Sequence, residues 1–560
     1  MTGVWDLVAA TLAEAGCGVV VGLPSDEPGL LDAVRRRPDP ALAAVAVRDQ
    51  RAGACAAVGH AVVSGRPAVL ALTSGPPFPN ALTGLLEGAS LCAPVVVVTT
   101  RIPASGLGRG GFQEVDQAAL ARPVAKAHLL VDDPDRLVWA LRRAVHLAVN
   151  GRPGVTVVEI ADEVLHRPAP PPGQGGLVRR LRALPPGPEL ERAAELLAGA
   201  ERPLILLGGG ARAAEAGRAA IALAERWQAP VLTTAAGRGV IDEGHPLALG
   251  LAGLYLTPPL DLVTCDVDVL LAVGTRLEET ARMGWPELDA VRLLHVDCDP
   301  EAFGTSLEPV QALLGDAALT LAALDERFAT RAGRTAGKNR ANWLDQAARL
   351  RQAALDDHAA PPPFDQSPVR ATLAAVAEVF GDGAVLVQEN GLNDLWSYHW
   401  PVLSVGARTS VVVPGEQTMM GFGVAAALGA AVADPGRPTV VLCGDGALTM
   451  SLPALASAAE LRRGLVVVVF DNAGFGWPRW LRGQEGAPDE LTRFQARLPL
   501  DAIATGLGGT YAAPAGDAGL REAMRKARKA AADGRLAIVT VQPREDDVPA
   551  GVRRLFGTAL

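Results

Sequence analysis

The stretch Thr439–Gly446, TVVLCGDG, decides the reading of this 560-residue chain. Thr439–Cys443 is a buried-strand pattern, and it runs straight into Gly444-Asp445-Gly446. A helical stretch follows, from about Leu452 to Arg463, and then a second apolar run, Leu465–Phe470 (LVVVVF), which ends in Asp471-Asn472-Ala473-Gly474. Both polar turns therefore sit at the carboxyl ends of strands joined by one crossover, the edge where an open parallel sheet places ligands. Asp445 and Asn472, 27 residues apart, offer a carboxylate and an amide oxygen, hard ligands suited to Mg2+. Such an ion needs further oxygens, which a diphosphate supplies, and the glycines let backbone approach a phosphate. A lone Gly-Asp-Gly is a common turn. Its position between two buried strands, with Asn at the second strand end, is what gives it weight.

Composition bounds the rest. The length suggests three or four domains, and 49% hydrophobic residues are ample for buried cores. A net charge of −9 argues against nucleic acid as a partner. The six cysteines, Cys17, Cys55, Cys92, Cys265, Cys298 and Cys443, form no CxxC pair and read as free thiols in a reducing compartment. Asp6 and Glu14 near the start, without a basic segment, predict no signal peptide. No apolar run approaches a membrane span. A cytoplasmic protein is expected.

Three α/β blocks are legible, which predicts an α/β fold of three doubly wound parallel-sheet domains. The first, residues 1–167, has strands at Gly18–Gly22, Ala44–Val47, Ala68–Thr73 and Val95–Thr99. Pro168–Gly176 (PAPPPGQGG) is a linker. The second, residues 188–334, has strands at Pro203–Leu207, Val231–Thr234, Val269–Val273 and Arg292–Val296. Gly208-Gly209-Gly210 follows its first strand, but Ala213 stands at the third glycine of a dinucleotide fingerprint and no acidic partner follows. A tight strand–helix turn is the simpler reading; a nicotinamide site is disfavoured, and FAD or ADP in this domain stays open in principle, without support in the sequence. A helical segment of about 334–357 and Pro361-Pro362-Pro363 lead into the third block, residues 365–560. Blocks one and three share one grammar and look like a distant duplication.

The GDG turn and the Asp471-Asn472 turn together resemble the signature of thiamine-diphosphate-dependent enzymes, and nearly the whole chain resembles their acetolactate-synthase-like branch. Gly22-Leu23-Pro24 stands at the family's Gly-x-Pro turn, Thr73-Ser74-Gly75-Pro76 at its TSGPG, followed by Asn80, and Phe112-Gln113-Glu114-x-Asp116 at its FQExD. Lys126 falls where the family often has a lysine. Asn390–Trp396 (NGLNDLW) resembles the segment that opens the diphosphate-binding domain, with Leu392-Asn393 in place of Gln-His. Thr418–Gly423 (TMMGFG) resembles its GxMGFG. The resemblance implies that Asp445, Asn472 and the Gly474 carbonyl hold Mg2+ against the diphosphate of thiamine diphosphate. Ser74, Asn80, Asn393, Gly444, Gly446 and Ala447 would contact the cofactor. Met420 would be the wedge that bends it, and the Thr418 carbonyl would take a hydrogen bond from its 4′-amine. Core packing is the alternative for Met419-Met420. Gln113, Trp477 and Trp480 fall at substrate-facing positions; with Arg479, the two tryptophans suit an aromatic pocket with a carboxylate clamp, or else a lid packed on its own domain. The family also implies a homodimer or homotetramer in which the cofactor spans the first domain of one chain and the third of its neighbour.

One residue departs from the family. Its activating glutamate lies in RHExxAxxxAxGYA, and this chain reads RDQRAGACAAVGHA from Arg48 to Ala61. Counting back from Gly59-His60-Ala61 puts Gln50 at that position, with Asp49 one place early and, at a strand end, facing the other way. A carboxylate there shuttles a proton at the pyrimidine N1′; Gln can donate or accept but not exchange one. The resemblance thus implies a carboligase or lyase acting on a 2-oxo acid or similar carbonyl donor through an enamine. Glyoxylate carboligase, a relative, also lacks the glutamate. The alternative is a catalytically silent homologue or a subunit needing a partner. None of the eight histidines forms an adjacent pair, so a pyruvate-decarboxylase-like site is disfavoured.

Overall fold

A computed structural model describes residues 3–37, 41–171, 175–286, 288–330 and 338–557. Residues 172–174 of the expected linker and the expected boundary at Arg334 lie outside the described residues.

The described residues form three six-stranded sheets. The first contains β1 (Val19–Gly22), β2 (Ala43–Ala46), β3 (Ala68–Leu72), β4 (Val95–Arg101), β5 (Ala127–Val131) and β6 (Val155–Ala161) in the order β2-β1-β3-β4-β6-β5. The second contains β7 (Pro203–Leu207), β8 (Val231–Thr233), β9 (Ala248–Leu251), β10 (Val269–Val273), β11 (Arg292–Asp297) and β12 (Gln311–Leu314), ordered β12-β11-β10-β7-β8-β9. The third contains β13 (Val385–Gln388), β14 (Ser410–Val412), β15 (Thr439–Gly444), β16 (Leu465–Phe470), β17 (Thr510–Ala512) and β18 (Ala537–Val541), ordered β14-β13-β15-β16-β18-β17. Every pairing between these strands is parallel. The expected α/β fold of three parallel sheets is what the chain adopts. Sheets one and three have the same strand order once renumbered, as a duplication would leave them.

Each of those two sheets reverses its winding beside its first strand. In the third sheet the switch lies between β13 and β15, so the turns after Gln388 and Gly444 open the crevice where doubly wound sheets bind ligands. In the first sheet the matching place lies between β1 and β3, at Gly22-Leu23-Pro24 and Thr73-Ser74-Gly75.

Sheets one and three share a single core, whose centre is the crossing of the Gln50–Ser64 and Phe422–Ala433 helices. Both helices are rich in Ala and Gly, which lets their backbones touch. A Cβ on Gly59 would overlap the carbonyl oxygen of Ala426, and one on Gly429 that of Ala56. The second sheet is tied to the third by Arg238, fully buried, which pairs with Glu243 at 2.8 Å and donates to the carbonyls of Ser397 and Leu403 at 2.5 and 2.6 Å.

Candidate active site

The third sheet supplies most of the site. Gly444 ends β15, and Asp445 opens a short helix, Asp445–Thr449, ahead of the Leu452–Glu460 helix. The sequence shows the second helix but not the first; Ser451, whose hydroxyl donates to the Gly421 and Ala447 carbonyls at 3.0 and 3.1 Å, stands between them. Asp445 is buried. Its Oδ2 accepts from the Gly474 N–H at 3.1 Å, while its Oδ1 has no hydrogen-bond partner among the described residues. Burial, and then the neighbouring Asp471 charge, push its carboxyl up to about 6. Asn472, past the end of the adjacent β16, likewise has a buried Oδ1 without a partner. Two hard oxygens left unsatisfied on neighbouring strand ends are costly unless something compensates them. A divalent cation would satisfy both and reverse the electrostatic penalty on Asp445, so the donors present fit Mg2+.

The turn that carries Asn472 is built around its neighbours. Asp471 accepts from the Ala473 N–H at 3.1 Å and pairs with Arg497 at 3.1 Å. Ala473 takes a φ of 53°. Gly474 must be glycine, because a Cβ there would overlap the Thr492 carbonyl, and its own carbonyl lies 3.6 Å from where a Cβ of Gly446 would stand. Gly476 leaves room for the Asn472 amide.

Arg479 departs from expectation. It is buried, and its guanidinium donates to the carbonyls of Asn472, Ala473 and Thr492 at 3.2–3.4 Å and to Glu545 at 3.1 Å. It sits in the Gly476–Gln484 helix, whose side chains lean toward its N-terminus. Arg479 therefore buttresses the Asn472 turn instead of standing free as a carboxylate clamp.

A cleft of about 480 Å³ brings Asn393, Asn472, Gly476 and Trp480 together, with Arg479, Arg493 and Arg544 also lining it. Trp477 turns the other way. Its ring lies edge-on to Phe556 at 5.2 Å and joins Leu392, Leu395 and Val552 in a small apolar cluster, with Trp480 at 5.7 Å. Beside Asn393 lies Asp394, fully buried, with neither carboxylate oxygen hydrogen-bonded among the described residues. Burial, then the Glu389 and Asp445 charges, hold its carboxyl well above the usual range. Nothing in the sequence reading singled it out.

The turn Gly415–Gly421 lies between β14 and the Phe422–Ala433 helix. Thr418 has a φ of 46°, and its carbonyl accepts from Asn390 Nδ2 at 2.8 Å. Met419 is buried, its sulfur 3.7 Å from that of Cys55, whereas Met420 is only half-buried. The two methionines thus divide the roles between them: Met419 packs the core and Met420 is left outside it.

The first sheet assembles a second cluster. Asp49 caps the Gln50–Ser64 helix, accepting from the Ala52 N–H at 2.8 Å. This corrects the strand-end argument for Asp49: β2 already ends at Ala46, and Asp49 and Gln50 converge on Asn80 instead of facing opposite ways. Gln50 Oε1 accepts from Asn80 Nδ2 at 2.7 Å, and Asn80 also reaches Asp49 at 3.1 Å. The Ser74 N–H donates to Thr100 Oγ1 at 3.1 Å. Gln113, exposed and at φ 60°, packs its Cβ close over Gly75. Gln50 and Asn80 make no hydrogen bond to the third sheet among the described residues. Lys126 is structural: its ammonium donates to the carbonyls of Leu147, Asn150 and Arg152 at 2.5–2.8 Å. In the second sheet, Gly208 and Gly210 are required by close packing against Gly274, as a tight turn demands.

Three family models match the chain in order: the N-terminal TPP-binding domain of thiamine pyrophosphate enzymes over residues 2–120, their central domain over 190–324, and their C-terminal TPP-binding domain over 389–541. The chain belongs to the thiamine pyrophosphate enzyme family. Within it, the chain falls in the acetolactate-synthase-like branch. It is 29% identical to a probable acetolactate synthase large subunit of Methanocaldococcus jannaschii, over 86% of this chain and 83% of that protein. It is 31% identical to the acetolactate synthase large subunit of Parasynechococcus marenigrum, over 80% of this chain and 72% of that protein. It is equally 31% identical to a probable 2-ketoarginine decarboxylase of Pseudomonas aeruginosa, over 83% and 81%. The thiamine-pyrophosphate-binding domains are thus the first and third sheets, the two that carry the polar clusters.

Proposed function

We propose that this protein is a thiamine-diphosphate- and Mg2+-dependent carboligase or lyase acting on a 2-oxo acid or similar carbonyl donor, with Gln50 in place of the usual activating glutamate. The observation that carries this reading is the pair of buried, unpartnered oxygens on Asp445 and Asn472. Asp445, Asn472 and the Gly474 carbonyl would hold the metal. Asn393 and the backbone of Gly444, Gly446 and Ala447 would hold the diphosphate, and Thr418 and Met420 the middle of the cofactor. When bound, thiamine diphosphate supplies a carbon nucleophile and an electron sink. Trp480 gives the cleft an apolar wall against water, and Trp477 fixes that wall from behind.

Gln50, Ser74, Asn80 and Gln113 would reach the cofactor from a neighbouring copy, which makes a homodimer, or a tetramer of two dimers, the working unit. The domains are read as residues 1–167, 188–334 and 365–560. Six free cysteines suit a cytoplasmic protein, and no helix of the described residues is long and apolar enough to cross a membrane.

One observation favours a second reading, a cofactor-binding homologue without activity of its own. The Gln50–Asn80 pair is neutral, and the neighbouring carboxylate of Asp49 is engaged by the Ala52 N–H and by Asn80. Release of carbon dioxide from a panel of 2-oxo acids, with Mg2+ and thiamine diphosphate, separates the two. The proposed function predicts release from at least one donor; cofactor binding with no turnover of any donor favours the silent homologue.

A further inference from the structure

The helix Pro77–Ser90 is apolar along its inner face except for Glu87, whose side chain is fully buried. No lysine, arginine or histidine pairs with it among the described residues. Its partners are two backbone N–H groups in another block of the chain. Gly415 N–H donates to Oε1, and Met419 N–H donates to Oε2 at 2.8 Å. One turn along the same helix, Ser90 Oγ accepts from the Glu416 N–H at 3.0 Å. The Gly415–Gly421 turn is irregular, so its N–H groups lack strand or helix partners, and buried N–H groups must find acceptors. A carboxylate can satisfy two of them at once. The approach is close enough to need glycine: a Cβ on Gly415 would stand 2.5 Å from Ser90 Oγ and 2.8 Å from Glu87 Oε1. The same turn is tied to the second sheet through Glu416, which accepts from Thr280 N–H and Oγ1 at 3.0 and 2.6 Å, and to the third through Asn390.

We infer that Glu87 is a positioning residue: from the first sheet, its carboxylate fixes the turn through which the third sheet presents Thr418 and Met420 to the cofactor. The inference rests on the reading of that turn in the proposed function. An unbraced turn would still leave the metal and diphosphate ligands in place, because Asp445, Asn472 and Asn393 hang from other strand ends. Loss of the brace should therefore be felt by the thiazolium and pyrimidine ends of the cofactor and not by its diphosphate.

The test is calorimetric titration of the full-length protein with two probes, thiamine diphosphate with Mg2+ and inorganic pyrophosphate with Mg2+. Glu87→Gln keeps the shape but turns an amide N–H2 toward one of the two donors. It should weaken thiamine diphosphate by about tenfold to a hundredfold, the range for losing a hydrogen bond to a charged group, and leave pyrophosphate within about twofold. Ser90→Ala removes only the Glu416 contact and should give a smaller loss with the same selectivity. In the cofactor-free protein, amide hydrogen exchange at Gly415 and Met419 should quicken in Glu87→Gln. Equal losses for both probes, no loss for either, or unchanged exchange would overturn the inference. If the wild type binds pyrophosphate but not thiamine diphosphate, the cofactor reading itself fails, and that outcome is visible before any variant is made.

Discussion

At the scale of single residues, the proposed chemistry turns on what Gln50 can offer. Its Oε1 is engaged by Asn80 at 2.7 Å, so what remains is a pair of amide N–H donors. Such a group can hold a ring nitrogen but cannot take its proton. Gln50→Glu is expected to quicken exchange of the cofactor's C2 proton by about ten- to a hundredfold, the usual worth of a general acid–base group. Acid-quenched NMR reads this step directly, and equal rates would mean that position 50 does not face the cofactor. Glu389 gives a second prediction, independent of activity. It is fully buried and accepts from the Gly423 and Asn390 N–H groups at 2.6 and 3.1 Å. Burial nevertheless pushes its carboxyl from 4.5 up to about 7. The folded state thus binds a proton that the unfolded state releases between these values, so the contribution of Glu389 to stability falls as pH rises from 4.5 to 7. Glu389→Gln, which stays neutral, should be more favourable relative to wild type at pH 8 than at pH 4, by up to about 3 kcal/mol. Urea midpoints at the two pH values check this, and a pH-independent difference would contradict it. Asp445 and Asn472 stand out in the sequence because spacing and strand ends mark them, and Gln50 because of the resemblance to the family's glutamate motif. In the sequence Arg479 reads as a clamp or part of a lid and Glu87 does not stand out, because their roles depend on partners that only folding supplies. The Gly415 turn lies 328 residues from Glu87 in the chain. The single signal for Glu87 was a lone acid in an apolar helix.

At the scale of elements, the crossing of the Gln50–Ser64 and Phe422–Ala433 helices sets the spacing between the two cofactor-binding sheets. Gly429→Ala in an ordinary helix would gain about 1 kcal/mol of propensity. Here the added methyl would meet the Ala56 carbonyl, a backbone atom that cannot rotate aside. Overpacking of this kind costs about 1–3 kcal/mol and occasionally more, so a net loss of stability is expected. Denaturant unfolding checks it; a variant as stable as wild type would mean the helices can separate freely. The strands that the sequence showed best, such as β15, β16, β7 and β10, are continuous apolar runs buried on both faces. Those it did not show include β14 and β17, of three residues each, and β12, which is half-exposed at a sheet edge. These form by pairing with a neighbour already in place, so their own residues carry little pattern.

At the scale of the whole molecule, sheets one and three repeat one strand order, and each brings a polar cluster to its own switch point. Among the described residues, Gln50 and Asn80 bond to each other and not to the third sheet, and the proposed site is one completed by a second copy. Light scattering should show a dimer or a tetramer, and a monomer that binds cofactor at full affinity would refute the shared site. The central claim is that Asp445 and Asn472 hold a divalent ion for a diphosphate cofactor, and calorimetric titration with thiamine diphosphate, with and without Mg2+, tests it most directly. Binding is expected only when Mg2+ is present, at one cofactor per chain, and is expected to be lost in Asp445→Ala while the thermal unfolding of that variant stays cooperative. Unchanged affinity in Asp445→Ala, or full affinity without a divalent ion, would contradict it.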